Sequence, residues 1–146
     1  RSTPEAIAEV FRVNALGPAN LIAACWGVFA RQHAENRMRA HGHRVVNVSS
    51  MATADPFPGL FAYAAAKGAV NVMVKSIANE GREIGVKGFA VAPGAVETPM
   101  LRGIVSEKDL PRDRTLTPEK VAGVIAACVL GERDGDNGQT IFVASP

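Results

Sequence analysis

The N-terminal part of the chain carries apolar residues at helical spacing. Over residues 7–29 this spacing predicts one long helix, and Ser2 or Thr3 can cap its start. Pro18 has no N–H to donate, so the carbonyl of Asn14, four residues earlier, loses its normal helical partner. The pattern therefore predicts a long helix that is interrupted near Pro18 and kinked at Asn14.

The rest of the chain alternates between short β-branched runs and helical periodicity. Val45, Val46 and Val48 form a run bounded by polar residues, as in a buried strand. Thr117 can cap a later helix, which Gly131 ends. Strands that alternate with helices predict an α/β fold with a parallel sheet and helices on its faces. In order, we expect a strand at 45–48, an alanine-rich helix at 61–85, a strand at 86–95, a helix at 118–130 and a strand at 139–145.

Composition and charge exclude several classes of protein. A chain of 146 residues with 47% apolar residues is enough for one domain, residues 1–146, with a buried core. Basic residues exceed acidic ones by only two and are scattered, which argues against a nucleic-acid partner. No apolar run approaches the length of a membrane span, and charges interrupt the first residues where a signal peptide needs an apolar stretch. We therefore expect a cytoplasmic protein with no membrane partner.

Cysteines and histidines give no sign of a metal site. Cys25 and Cys128 stand far apart in apolar runs, which is typical of buried free thiols in a reducing cytoplasm. His33, His41 and His43 lie in a polar linker between a helix and a strand, and we interpret them as solvated. No metal ligand is expected among these residues.

The only tyrosine of the chain, Tyr63, stands in a suggestive context. Lys67 follows it by four residues, so the two share one helical face, and Ser50 precedes it by thirteen. A Tyr-x-x-x-Lys pair alone is weak evidence, because surface helix pairs have the same spacing. Here, however, Ser49 and Ser50 end a predicted strand, and ligands of open α/β sheets bind at that edge.

These groups suit proton transfer to a carbonyl oxygen during hydride transfer. A free tyrosine titrates at about pH 10, so it needs a fixed cation to stabilise its phenolate near neutrality, and Lys67 can supply one. A serine hydroxyl can hold the carbonyl oxygen; we favour Ser50, although periodicity does not separate it from Ser49. If the kink at Asn14 faces the same crevice, its carbonyl can hold a water that connects Lys67 to solvent.

At this point the sequence resembles the short-chain dehydrogenase/reductase family. The segments "FRVNALG", "VNVSS" and "YAAAK" match, in order, the family's Asn, Ser and Tyr-x-x-x-Lys tetrad. The resemblance implies a Rossmann-type doubly wound parallel sheet and an oxidoreductase that interconverts a carbonyl and an alcohol with NAD or NADP. It assigns acid/base catalysis to Tyr63, a ribose contact and phenolate stabilisation to Lys67, carbonyl polarisation to Ser50 and water ordering to Asn14.

A second segment, "APGAVETPM", is similar to the family's Pro-Gly-x-x-x-Thr motif, which wraps the nicotinamide. By this resemblance Pro93 and Gly94 shape the turn, and Val96 offers backbone groups to the carboxamide. Thr98 contacts the carboxamide or a phosphate. Tyr63 also belongs to the implied cofactor site.

The sequence departs from the family pattern in two places. Its fourteen glycines include no Gly-x-x-x-Gly-x-Gly turn, so the N-terminal βαβ units, the pyrophosphate site and the residue that selects NAD or NADP are missing from it. The last strand ends "IFVASP", without the Asp-Gly-Gly that commonly follows it in the family. The choice between NAD and NADP is therefore open.

Two functions follow from these patterns. The first is a carbonyl/alcohol oxidoreductase with a small-molecule substrate, which by resemblance forms a homodimer or homotetramer through its long helices. The second is a non-catalytic half-domain, a degenerate subunit or interaction module, whose sheet has an open edge beside the "RVVNVSS" strand.

Individual residues also have structural interpretations. Asn14 can simply tolerate a kink, Ser50 can bond its own backbone, and Thr98 can begin a turn or a helix. A further apolar group fits a substrate pocket and fits core or lid packing equally well: Met51, Phe57, Phe61, Met100 and Leu101.

Overall fold

The computed structural model describes residues 3–37 and 42–146. Three strands alternate with helices, as the hydrophobic pattern predicts. The helices are α1 (Pro4–Phe11), α2 (Gly17–Ala34), α3 (Phe61–Glu80), α4 (Pro99–Arg102) and α5 (Pro118–Leu130); a π-turn (Arg12–Leu16) joins α1 to α2. The strands are β1 (His43–Val48), β2 (Val86–Pro93) and β3 (Thr140–Val143), and short 3₁₀ turns lie at Met51–Thr53, Arg82–Ile84, Arg112–Arg114 and Asp134–Asp136.

The three strands form one parallel sheet in the order β1-β2-β3. His43 pairs with Val86 at the start of β1, and Ala90 pairs with Thr140 at the start of β3. Within the described residues β1 pairs with β2 alone, so its other edge is open. The α/β class with a parallel sheet is confirmed.

Two apolar clusters cover the two faces of the sheet. On one face α5 packs on β1 and β2, in an apolar cluster that also includes residues of β3. On the other face α2 and α3 pack on β1 and β2, because alternate residues of a strand point to opposite faces. The α5 side buries Phe89, Val91, Leu116, Val121, Cys128, Ile141 and Val143; the α3 side buries Val74, Ile77, Val86 and Ala90. Burial raises the pKa of the Cys128 thiol.

The first helix differs from the expectation in length and in the form of its interruption. Thr3 caps α1, its hydroxyl accepting from the N–H of Ala6 at 3.2 Å, and helical structure runs without a break from residue 4 to residue 34. Near Pro18 the chain forms a π-turn, in which the N–H of Gly17 donates to the carbonyl of Arg12 five residues earlier. This 31-residue helix is long and apolar enough to cross a membrane by length and composition, which corrects the expectation that no apolar run approaches a span.

Two further expectations need correction. His43 is not solvated: it begins β1, and its ring stacks on Phe29 with centroids 4.8 Å apart, because the strand starts before its β-branched run. His33 is exposed on α2, and His41 lies outside the described residues. The alanine-rich helix ends at Glu80 rather than Gly85; a 3₁₀ turn follows, and Gly85 takes the left-handed conformation with φ of 68°.

The segment after β2 is a loop whose two ends are joined. The N–H of Leu116 donates to the carbonyl of Ala95 at 2.8 Å, and the N–H of Glu97 donates to the carbonyl of Leu116 at 2.9 Å. The predicted irregular stretch is therefore closed at its base by an isolated parallel bridge between Val96 and Leu116.

An ion-pair network holds the inside of this loop. Arg102 forms a bidentate pair with the carboxylate of Glu97, and both side chains are largely buried. Arg112 lies 3.8 Å from the same carboxylate. The hydroxyl of Thr115 also lies 3.2 Å from this carboxylate, and it donates to the carbonyl of Arg112 at 2.7 Å. Arg102 also donates to the carbonyl of Leu110 at 2.7 Å. We call Glu97, Arg102, Arg112 and Thr115 the Glu97 network.

Gly88 tests the packing of α3 on the sheet. A Cβ atom there would stand 2.9 Å from Cγ2 of Ile77 and 3.0 Å from the carbonyl of Val74, so we expect Gly88→Ala to lower the free energy of unfolding by about 1–3 kcal/mol. Gly123→Ala is the matched control, because nothing lies within 4 Å of its Cβ position on α5, and helix propensity should raise stability by about 0.5–1 kcal/mol. Urea denaturation measures both; equal effects would contradict the close approach.

Glu97 tests the closed loop. Hydrogen bonding from Arg102 holds the pKa of the Glu97 carboxyl below its ordinary value. Because folding lowers this pKa, the stabilisation is fully present above the unfolded value, about 4.3, and is lost as the pH falls through the folded value. We expect Glu97→Gln to speed amide exchange across residues 98–115 at neutral pH, and the wild-type loop to loosen only in acid.

The matched control is Glu107→Gln. Glu107 pairs with Arg112 at the surface, where both side chains are more than half exposed, so its loss should change little. Equal exchange rates in the two variants would contradict the role of the Glu97 network.

Candidate active site

The end of β1 is joined to α3 by three hydrogen bonds. Nζ of Lys67 donates to the carbonyl of Val48 at 2.8 Å, and the hydroxyl of Ser49 donates to the carbonyl of Lys67 at 3.3 Å. One helical turn further along α3, Nδ2 of Asn71 donates to the hydroxyl of Thr53 at 3.0 Å. We call these five residues the β1–α3 junction. It fixes the strand end that carries the serines against the helix that carries Tyr63.

The structure separates the two serines that the sequence could not. Ser49 is buried, and its hydroxyl donates its hydrogen to the backbone of α3. That hydrogen is therefore already used in joining β1 to α3. Ser50 is half-buried and extended, and its Oγ accepts from the N–H of Ala52 at 3.1 Å. An accepting bond leaves the hydroxyl hydrogen of Ser50 for another acceptor. This geometry supports the choice of Ser50 for holding a carbonyl oxygen.

Tyr63 and Lys67 lie side by side on α3, both half-buried. Nζ of Lys67 is 5.8 Å from the centroid of the Tyr63 ring, within range of a cation–π interaction. Burial lowers the pKa of the Lys67 ammonium. The bond to Val48 uses one of its three N–H donors, so two remain for a ligand or a water.

Asn14 lies in the π-turn, which packs against α3. Its side chain is half-buried and donates through Nδ2 to the carbonyl of Val10 at 3.0 Å. Pro18 cannot supply the donor that the Asn14 carbonyl would meet in a regular α-helix. Single π-turns inside α-helices are often found at functional sites, and the water relay through this carbonyl stays a prediction.

The Pro-Gly segment follows β2 at the same end of the sheet. Pro93 ends the strand, and the N–H of Gly94 donates to the carbonyl of Val143 at 2.9 Å. A Cβ atom on Gly94 would stand 2.5 Å from Oγ of Ser145. Packing against Ser145 alone therefore explains why residue 94 is a glycine, without any ligand. Its assignment to the cofactor site stays a prediction.

Thr98 begins a helix, as its structural interpretation proposed. Its hydroxyl accepts from the N–H of Leu101 at 3.2 Å and donates to the carbonyl of Val96 at 3.2 Å. In the parallel bridge to Leu116, the residues on either side of Val96 make the bonds, so the N–H and carbonyl of Val96 point away from Leu116. That orientation leaves the N–H of Val96 directed outward from the loop.

These donors fit the nicotinamide half of a dinucleotide. Two remaining ammonium hydrogens on Lys67 suit a ribose diol, and the backbone of Val96 suits a carboxamide. Val48 is 47% exposed at the end of β1, so apolar surface is available beside them. A pyrophosphate would need donors such as a glycine-rich turn, which this sequence does not contain.

Three of the five apolar residues considered for a substrate pocket are not core residues. The most exposed are Phe57, Phe61 and Met100, at 69%, 60% and 79%, while Met51 and Leu101 are half-buried. Exposure on this scale rules out the core interpretation for the first three. A lid or pocket wall remains for them.

Sequence reasoning missed three polar residues that shape this site: Thr53, Asn71 and Glu97. Asn71 had a signal, since it follows Tyr63 and Lys67 at the same four-residue spacing and therefore shares their helical face. Thr53 and Glu97 had none, because their partners become neighbours only when the chain folds.

Comparison with known proteins agrees with this geometry. Residues 1–109 match the family described as short chain dehydrogenase. The chain is 34% identical over 128 residues to a short-chain type dehydrogenase/reductase of Picea abies, a match that covers 82% of this chain and 47% of the relative.

Two solved structures are similar along nearly the whole chain. A 3-ketoacyl-(acyl-carrier-protein) reductase from Brucella melitensis, complexed with NADH, gives a TM-score of 0.84 at 26% identity and covers 97% of this chain and 57% of that one. A gluconate 5-dehydrogenase from Burkholderia cenocepacia, in complex with NADP and tartrate, gives 0.82 at 26% identity and covers 97% and 56%. Both comparisons confirm the Rossmann-type fold class.

The chain thus spans about half the length of the curated relatives and solved structures it matches. The matched residues 1–109 include all four tetrad positions and the Pro-Gly segment. The resemblance seen in the sequence is confirmed, and the chain belongs to the short-chain dehydrogenase/reductase family.

Proposed function

We propose that the protein containing this chain is an oxidoreductase that interconverts a carbonyl and an alcohol with NAD(H) or NADP(H). The observation that carries the proposal is the β1–α3 junction, which holds Ser50, Tyr63 and Lys67 at one end of the parallel sheet. Ligands of open α/β sheets bind at this end. Membership of the family supports the same activity.

A bound nicotinamide would supply the hydride for reduction, or accept it in oxidation, at the substrate carbon. The hydroxyl of Ser50 donates to the substrate oxygen and stabilises the negative charge that develops there. The phenol of Tyr63 gives its proton to that oxygen during reduction and takes it back during oxidation. The ammonium of Lys67, beside the ring, offsets the charge left on the phenolate. A water held by the Asn14 carbonyl then returns a proton through Lys67.

Residues from two elements would hold the cofactor. Lys67 and Tyr63 on α3 would contact the nicotinamide ribose, and Pro93, Gly94, Val96 and Thr98 after β2 would lie on the carboxamide side. Similar structures hold NADH in one case and NADP in the other, so the proposal covers both dinucleotides. The choice between the two stays open.

The competing proposal is a non-catalytic half-domain. Its support is the open edge of β1, which within the described residues pairs only with β2 and presents Val48. Against it stands the arrangement of the tetrad groups, which a purely structural subunit does not need. Titration with NADH and NADPH separates the two, because saturable binding is expected only for the oxidoreductase.

We also propose that the protein is a cytoplasmic homodimer or homotetramer, with no nucleic-acid or membrane partner. A groove of about 630 Å³ lies between α2 and α3, and its apolar walls suit the same helices of a second copy. The groove is lined by Ala19, Ile22, Ala23, Trp26, Ala69, Val72, Met73, Ser76, Ile77 and Glu80, and no tetrad residue belongs to it. The continuous helical stretch from residue 4 to residue 34 has the length of a membrane span. Three of its side chains, Ile22, Trp26 and Phe29, nevertheless pack onto the apolar cluster beneath α3.

Tyr63→Phe tests the chemistry. It removes only the phenolic hydroxyl, so we expect kcat to fall at least roughly a thousandfold while NADH or NADPH still binds. The assay uses the full-length protein, a panel of simple ketones, α-diketones and β-ketoesters, and the absorbance of the reduced nicotinamide.

Asn79→Ala is the control for this substitution. Asn79 is exposed near the C-terminal end of the same helix and has no role in the proposed site, so its replacement should leave most of kcat. A Tyr63→Phe variant that keeps wild-type turnover would refute the assignment of Tyr63.

Val72→Lys tests the dimer. Val72 is 62% exposed and lines the α2–α3 groove, so lysine there should leave the fold intact but place a desolvated charge in the contact. We expect the molar mass in light scattering to fall to that of a smaller species. Val129→Lys on α5, where the side chain is 51% exposed, is the matched control and should not produce monomers. An unchanged mass for Val72→Lys would exclude the groove as the contact.

A further inference from the structure

A chain of two hydrogen bonds reaches Ser50 from α3. Thr53 lies in the short 3₁₀ turn after Ser50, and its hydroxyl donates to the carbonyl of Ser50 at 2.9 Å. The same hydroxyl accepts from Nδ2 of Asn71 at 3.0 Å. Asn71 is separated from Thr53 by eighteen residues of sequence and stands one turn beyond Lys67. A polar side chain of α3 therefore acts on the backbone of Ser50 through Thr53.

Hydrogen-bond chemistry fixes the direction of this chain. A threonine hydroxyl has a single hydrogen, and here it is directed to the carbonyl of Ser50. The oxygen of Thr53 can then only accept from α3, so its partner there must be a donor. An asparagine amide supplies that donor, whereas an aspartate of nearly the same shape would not.

A contribution to the overall stability of the fold does not explain why residue 71 is an asparagine. Its Oδ1 is buried and has no partner among the described residues, an arrangement that costs free energy. An apolar residue at this half-buried position would avoid that cost. What Asn71 provides is the bond to Thr53.

We propose that Thr53 and Asn71 are positioning residues that orient the Ser50 hydroxyl toward the substrate oxygen, an inference that rests on the proposed function. The Ser50 carbonyl accepts from both the N–H and the hydroxyl of Thr53, at 3.1 and 2.9 Å, and its Oγ accepts from Ala52. These three hydrogen bonds hold the backbone and the side chain of Ser50 in one conformation. Since Asn71 shares α3 with Tyr63, the distance between acid and serine is fixed by one helix and not by the exposed loop at 54–59.

Three variants test this positioning in the full-length protein. Thr53→Val keeps the shape but loses the hydroxyl, and Asn71→Asp makes the hydrogen of Thr53 turn toward the carboxylate. We expect each to lower kcat roughly tenfold while the Kd for NADH or NADPH changes less than about twofold. Thr53→Ser keeps the hydroxyl and should restore turnover to within about threefold of wild type.

A second measurement does not depend on turnover. The N–H of Ala52 donates to Oγ of Ser50, so its hydrogen exchange reports the order of the serine. We expect this amide to exchange at least roughly fivefold faster in Thr53→Val and in Asn71→Asp than in Thr53→Ser, with exchange in β2 unchanged. Unchanged β2 exchange also shows that a variant has folded, and if Asn71→Asp fails to fold, Thr53→Val still decides.

The outcomes separate this inference from the proposed function. If Tyr63→Phe is inactive but Thr53→Val turns over and exchanges like wild type, the positioning role is wrong and the oxidoreductase stands. If the wild type binds neither NADH nor NADPH, the proposed function fails, and an unchanged Ala52 exchange rate in both variants would then overturn the coupling as well. Slow turnover together with fast Ala52 exchange, reversed in Thr53→Ser, supports it.

Discussion

The position of Ser50 relative to Tyr63 and Lys67 depends on how the end of β1 is bonded to α3. A strand end followed by a loop would normally be free to move, and the loop at 54–59 is exposed. Here Lys67 bonds the last carbonyl of β1, and Ser49 bonds the helix backbone. Lys67 thus has two tasks, since the ammonium that holds the strand also lies beside the Tyr63 ring. The Lys67 side chain therefore both stabilises the fold at this point and takes part in the proposed chemistry.

The loop after β2 is likewise held from within, here by an ion pair between two side chains. Its base is closed by backbone bonds around Leu116, and its interior is held by the carboxylate of Glu97. Glu97 stands between Val96 and Thr98, two of the residues proposed for the carboxamide side of the cofactor. A carboxylate at that point fixes both neighbours through the backbone, and hydrogen bonding from Arg102, which lowers its pKa, keeps it charged further into acid than a free carboxyl.

Sequence patterns predicted the elements of this fold better than its contacts. Thr117 and Gly131 bound α5 as expected, because caps are local chemistry. The start of β1 at His43 was missed, since a histidine stacked on Phe29 gives no periodic signal. Alternation along a strand could not choose between Ser49 and Ser50 without knowing which side α3 covers. Asn71 and Thr53 are eighteen residues apart, and no local pattern predicts that their side chains meet.

The π-turn at Arg12–Leu16 has a consequence for how relatives of this chain can differ in length. Such a turn accommodates one residue more than regular α-helix between flanking segments that stay in phase. Deleting a single residue there would restore α-helical bonding without rotating α2, so Ile22, Trp26 and Phe29 would still meet the sheet. Elsewhere in the helix the same deletion would turn that apolar face away. The turn is therefore the position in this helix where one residue can be removed at little cost to the core.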